Sequence, residues 1–195
     1  MRGKLDRLFF GMVMFGAVWS LSISQANAQS VEEKAQVCAG CHGADGKPID
    51  KTFPIIWGQK EGYLYVQLRD FKRGDRKSDI MQPIAASMER EDMFALAAYF
   101  SKKPWPDLGQ PRAPKEVSER ARSADRSVGC TGCHLEQFQG DGTVPRLADQ
   151  SRDYLTKTMA DFRTRARGNN PGMSDLMLAT APDDLAALAE YLSGL

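Results

Sequence analysis

Cys38-Ala39-Gly40-Cys41-His42 and Cys130-Thr131-Gly132-Cys133-His134 decide how this chain is read, and the second lies 92 residues after the first. The register extends outward from the motifs. Pro54 falls on Pro145 at a shift of 91, as do Gln59, Tyr63 and Leu64 on Gln150, Tyr154 and Leu155, and Asp70-Phe71 on Asp161-Phe162. Met81 falls on Met173 at 92 again, and Asp92, Leu96, Ala97 and Tyr99 fall on Asp184, Leu188, Ala189 and Tyr191. One residue lost in one loop and regained in another leaves three segments in phase, which marks a duplicated unit.

C-x-x-C-H is the spacing of a covalent haem attachment site. Two thiols add across the two vinyl groups on one edge of a porphyrin, and the next residue brings an imidazole to the iron. Cys38 and Cys41 are expected to hold one haem c with His42 as axial ligand, and Cys130 and Cys133 a second with His134. This uses all four cysteines and both histidines of the chain. A disulfide framework gives no reason for the histidines. A zinc site needs the two pairs to meet in space, although they sit in separate repeats. A thioredoxin-like redox pair needs a βαβ context that is absent.

With no histidine left, the sixth ligand falls to Met81 and Met173, each 39 residues after its histidine. A thioether is a soft neutral ligand, and Met/His ligation raises the reduction potential. Met177 and Met88 are the rivals, but their repeat partners are Ala85 and Thr180. Pro54 and Pro145 are candidates to accept the second N–H of each axial histidine, which fixes tautomer and ring orientation. The matched tyrosines Tyr63/Tyr154 and Tyr99/Tyr191 read as packing. Two basic clusters, Lys72-Arg73 with Arg76-Lys77 and Arg163 to Arg167, read as solvated surface, with neutralisation of haem propionates or contact with an acidic partner as the alternative.

The pattern within each copy is helical. Ser30-x-x-Glu33 is a capping box opening a helix towards Cys38. Leu64, Leu68 and Phe71, and equally Leu155, Met159 and Phe162, form apolar stripes at helical spacing. Met93, Leu96, Ala97 and Phe100 repeat that spacing late in the first copy, and Leu185, Leu188, Ala189 and Leu192 do so in the second. Pro182 with two aspartates behind it is a helix start. About three helices per copy make a thin core, which a buried haem would staple. Between the copies, four of the ten prolines fall at 104, 106, 111 and 114, as in a semi-stiff spacer.

Residues 1–28 have the parts of a cleaved secretory signal peptide: Arg2, Lys4 and Arg7, an apolar run to about Ile23, then Ala26-Asn27-Ala28. An uncleaved anchor is the rival reading. The expected units are residues 29–103, a linker 104–118, and residues 119–195. Beyond residue 28 the formal charge is −1, which argues against nucleic acid as a partner.

CAGCHGADG (38–46), FPIIWGQKEGYLYVQLRDFKRGDR (53–76), VPRLADQSRDYL (144–155) and LAALAEYLSGL (185–195) make each half similar to a class I cytochrome c domain. The tandem resembles the dihaem cytochrome c4 family over nearly all of the mature chain. The resemblance implies an all-α fold of two such domains packed face to face with pseudo-twofold symmetry. It implies His/Met-ligated haems and prolines 54 and 145 as acceptors for the axial histidines. It also implies an electron carrier, not an enzyme, that shuttles between membrane-bound reductases and terminal oxidases in the periplasm and so associates peripherally with a membrane. The chain departs from the family pattern at Leu135-Glu136, where a glycine usually leads, and at Asp149, opposite Gly58. The alternative is a dihaem subunit of a periplasmic dehydrogenase, of the flavocytochrome c sulfide dehydrogenase type. A dihaem peroxidase would need one open iron, which a methionine in each copy opposes.

Overall fold

A computed structural model describes residues 29–195, and the signal-peptide reading lies outside them. The described chain is all helical, with one isolated antiparallel bridge between Asp141 and Val144. The first half contains α1 (Val31–His42), α2 (Glu61–Arg73), α3 (Met81–Ala86) and α4 (Arg90–Ser101). The second contains α5 (Lys115–Val128), α6 (Thr131–His134), α7 (Arg152–Arg163), α8 (Pro171–Ala179) and α9 (Pro182–Ser193). The duplication is therefore visible as matched helices, more numerous than about three per copy. No described helix is long and apolar enough to cross a membrane.

The expected signals act where the sequence puts them. Ser30 Oγ accepts from the Glu33 N–H while the Glu33 carboxylate accepts from the Ser30 N–H, closing the capping box of α1. The stripe of α2 buries Leu64 and Phe71, and that of α7 buries Leu155, Met159 and Phe162. In the first half α2 packs on α3 and α4, and α1 on α4. In the second, α5 packs on α9, and α7 on α8 and α9.

Two differences have local causes. The first cysteine motif rides on the continuous helix α1, but Gly129 adopts a left-handed conformation (φ 79°) that splits α5 from α6. The methionine-bearing helices α3 and α8 are too short to show a periodicity. Pro83 is tolerated in α3 because it sits in the first turn, where N–H groups lack intrahelical partners. Pro171 opens α8, and Asn170 Oδ1 accepts from the Met173 N–H at 3.1 Å.

The proline-rich stretch is shorter than expected, since α5 begins at Lys115, directly after the last proline. Nor is it a free spacer. Gln110 Nε2 donates to the carbonyls of Gln150 and Ser193, both at 3.1 Å, and Gln110 Oε1 accepts from the Arg152 N–H at 2.9 Å. Arg146 lies over the Trp105 ring at 4.5 Å. The connection is thereby docked along the second half.

Candidate haem centres

The helices leave one large cavity of about 1650 Å³ whose wall is drawn from both halves. Single small-molecule sites usually occupy about 300–1,000 Å³, so the space suits more than one large group. Every site residue expected from the sequence lines it: Cys38, Cys41, His42, Pro54 and Met81 from the first half, and Cys130, Cys133, His134, Pro145 and Met173 from the second. All four cysteines carry free thiols. Burial pushes the Cys38 and Cys130 thiols up to about 11, so both remain protonated near neutrality.

Each histidine is buried at the C-terminus of its motif helix. His42 Nδ1 lies 2.8 Å from the Pro54 carbonyl and His134 Nδ1 lies 2.9 Å from the Pro145 carbonyl. A carbonyl only accepts, so both rings carry hydrogen on Nδ1 and keep the lone pair on Nε2. Burial lowers both histidine pKa values, against the opposing pull of these hydrogen bonds, and holds the imidazoles neutral. Neutral imidazole with Nε2 free is the ligating form.

Met81 is the first residue of α3 and Met173 the third of α8. Their rivals do different work. Met177 is buried in the second core, where its repeat partner Ala85 is also fully buried, and Met88 packs against the first core.

Part of each basic cluster turns inward. Arg76 donates to Gln67 Oε1 at 2.8 Å and to Tyr154 Oη at 3.1 Å. Arg167 donates to the same Gln67 Oε1 at 2.9 Å and to Tyr63 Oη at 3.2 Å. Each arginine thus bonds the tyrosine of the opposite half. Burial alone would raise the Tyr154 phenol, but the Arg76 guanidinium, with Arg167 behind it, brings it down to about 7. Two guanidinium groups in a cavity wall with neutral partners need anions close by. A pair of haems with carboxylate edges meets that need, and the duplicated donor set of two thiols, an imidazole and a thioether meets the rest. The remaining basic residues face outward: Arg165 pairs with Asp175 at 2.8 Å.

Sequence reasoning aligned Gln59 with Gln150 without giving them a task, and passed over Gln67 and Asn169. Gln67 gathers three donors from both halves, and Asn169 Nδ2 bridges it to buried Asp70 at 2.8 Å. The Pro-x4-Gln spacing shared by the two copies was the legible signal for the first pair.

An all-helical chain with two copies of this donor set around one cavity is built as a dihaem c-type cytochrome. No family model matches the sequence. It is 33% identical to cytochrome c4 of Azotobacter vinelandii, over 98% of this chain and 100% of that one. It is 38% identical to the thiosulfate dehydrogenase electron acceptor of Stutzerimonas stutzeri, over 82% of this chain and 79% of that one. The solved structure of reduced cytochrome c4 from Pseudomonas stutzeri superimposes with a TM-score of 0.75 at 29% identity, over 86% of this chain and 100% of that one. The chain belongs to the cytochrome c4 family. It is an electron-transfer protein with two covalently bound haem c groups, and its partners are redox proteins.

Proposed function

We propose that Cys38 and Cys41 hold one haem with His42 and Met81 as axial ligands, and that Cys130, Cys133, His134 and Met173 do the same for the other. When bound, each haem supplies a one-electron ferric/ferrous couple. The chain's own residues do the rest. The thiols anchor one porphyrin edge, and the Pro54 and Pro145 carbonyls hold each imidazole in the ligating tautomer. The methionines close the remaining axial position and favour a high potential. Arg76 and Arg167 offer positive charge to the propionates. The units are residues 29–103 and 119–195, joined by 104–118, and the protein works in the periplasm after removal of residues 1–28. It passes single electrons between respiratory partners, peripherally at a membrane.

The observation that carries this reading is the recurrence of the full donor set in one register, with a histidine–proline bond of 2.8 and 2.9 Å in the two halves. A redox titration followed by absorption spectra of Met81→His and Met173→His tests it. Each variant is expected to lose the sulfur-to-iron charge-transfer band from one haem only, with a fall in that haem's potential. A band of undiminished intensity in either variant refutes the assignment for that half.

The relative that acts as electron acceptor of thiosulfate dehydrogenase favours a second reading. There the chain drains electrons from a periplasmic dehydrogenase and is held by that enzyme as a companion subunit. The haem centres are the same in both readings.

A further inference from the structure

Gln59 and Gln150 occupy matched positions, are 3% and 2% exposed, and each reaches into the opposite half. Gln150 Oε1 accepts from the Ile55 N–H at 2.8 Å, and its Nε2 donates to the Ile55 carbonyl at 3.0 Å. Gln59 Oε1 accepts from the Arg146 N–H at 2.8 Å, and its Nε2 donates to the Arg146 carbonyl at 2.9 Å. Each Oε1 takes a second N–H from the residue that follows it, Ser151 or Lys60, at 2.9 Å. Donors on the oxygen side and an acceptor on the nitrogen side fix the orientation of both amides.

Ile55 and Arg146 are the residues that follow Pro54 and Pro145. The peptide group Pro54–Ile55 is therefore engaged at both ends. Its carbonyl accepts from His42 Nδ1 of its own half, and its N–H donates to Gln150 of the other. The group Pro145–Arg146 is engaged in the same way by His134 and Gln59. A peptide unit is conjugated across O, C and N. Donation from its N–H therefore moves electron density onto its oxygen, and chained hydrogen bonds strengthen one another at low dielectric.

Resting on the ligand assignment above, we propose that each glutamine is a positioning residue for the haem of the opposite half. Gln150 sets the strength of the His42 hydrogen bond through one peptide group, and Gln59 sets that of His134. A stronger acceptor at Nδ1–H makes the imidazole a more basic ligand. That favours the ferric state and lowers the potential. The two redox centres are thereby tuned reciprocally, each by a side chain belonging to its neighbour.

The test is a redox titration of the full-length holoprotein and its Gln150→Leu and Gln59→Leu variants. Haem methyl NMR signals separate the two centres, assigned to halves with the methionine variants. Gln150→Leu is expected to raise the potential of the first-half haem. It shifts that haem's ferric-to-ferrous ratio at fixed potential by roughly threefold to tenfold, tenfold being about 59 mV for one electron, while the second-half haem stays near its original value. Gln59→Leu gives the mirror image. Gln150→Glu retains an acceptor for the Ile55 N–H, adds negative charge and lowers the first-half potential, so it provides a reading even where the leucine variant assembles poorly.

Equal shifts at both haems, or a shift confined to the variant's own half, overturn the proposal. The chain has two histidines, so two hyperfine-shifted imidazole spin systems in the ferric protein report ligation independently. Their absence refutes the ligand assignment. Their presence, together with potentials that the glutamine variants leave unmoved, refutes the crossed tuning alone.

Discussion

Leu135 and Asp149 hold left-handed backbone conformations, φ 66° and 65°, where their repeat partners are Gly43 and Gly58, φ 86° and 67°. The fold requires this geometry in both copies. The Gly58 N–H donates to the Phe100 carbonyl at 2.9 Å and the Asp149 N–H to the matched Leu192 carbonyl at 2.8 Å. In the first copy glycine is enforced as well by space, since a Cβ on Gly43 would stand 1.9 Å from the Lys47 carbonyl oxygen. The second copy has a loop that admits a side chain, at the cost of backbone strain. A left-handed leucine costs about 1–2 kcal/mol. Glycine returns about 0.5–1 kcal/mol of that through its larger unfolded-state entropy. Leu135 is exposed, so little burial is lost with it. Leu135→Gly is accordingly expected to stabilise the holoprotein by about 0.5–1 kcal/mol, read as a higher guanidinium midpoint. A lower midpoint would mean that the side chain contributes packing that outweighs the strain.

At the level of elements, long amphipathic helices were legible in the sequence and short ones were not. The stripes of α2 and α7 span two turns, enough for a 3.6-residue period to stand out, and the proline of α9 and the capping box of α1 act locally as written. Helices α3 and α8 have no such signature. They are held by contacts across the fold, which a linear reading cannot see. In the second half Arg163, in the last turn of α7, donates one guanidinium nitrogen to the carbonyls of Met177, Leu178 and Thr180 at 2.9, 2.8 and 2.7 Å. In the first half the matched Lys72 bonds the single carbonyl of Met88. Both cations satisfy carbonyls at the end of the methionine-bearing segment, where helix ends leave acceptors unpaired. Charged hydrogen bonds are worth about 1.5–3 kcal/mol when buried, and this site is half open. Arg163→Ala should therefore cost about 1–2 kcal/mol. The sulfur-to-iron band of the second-half haem should disappear at a lower denaturant concentration than that of the first. Simultaneous loss of both bands would show that α8 is not separately anchored.

On the scale of the whole molecule, the two halves form one interior. The cavity wall, the arginine–tyrosine pairs and the glutamine bridges all cross the pseudo-twofold relation. The duplication and the donor sets could be read from the sequence, because covalent attachment demands a fixed local spacing. The crossed contacts could not, because each joins residues about 78 to 104 positions apart. The most direct measurement is the mass of the exported protein under denaturing conditions, beside that of a Cys38→Ala/Cys41→Ala double variant. The wild type should weigh the polypeptide from Gln29 onward plus two haems. The variant should weigh one haem less and retain the low-spin spectrum of the second-half centre. A wild-type mass equal to the bare polypeptide, or a double variant that keeps both haems under denaturation, would contradict attachment through these paired cysteines.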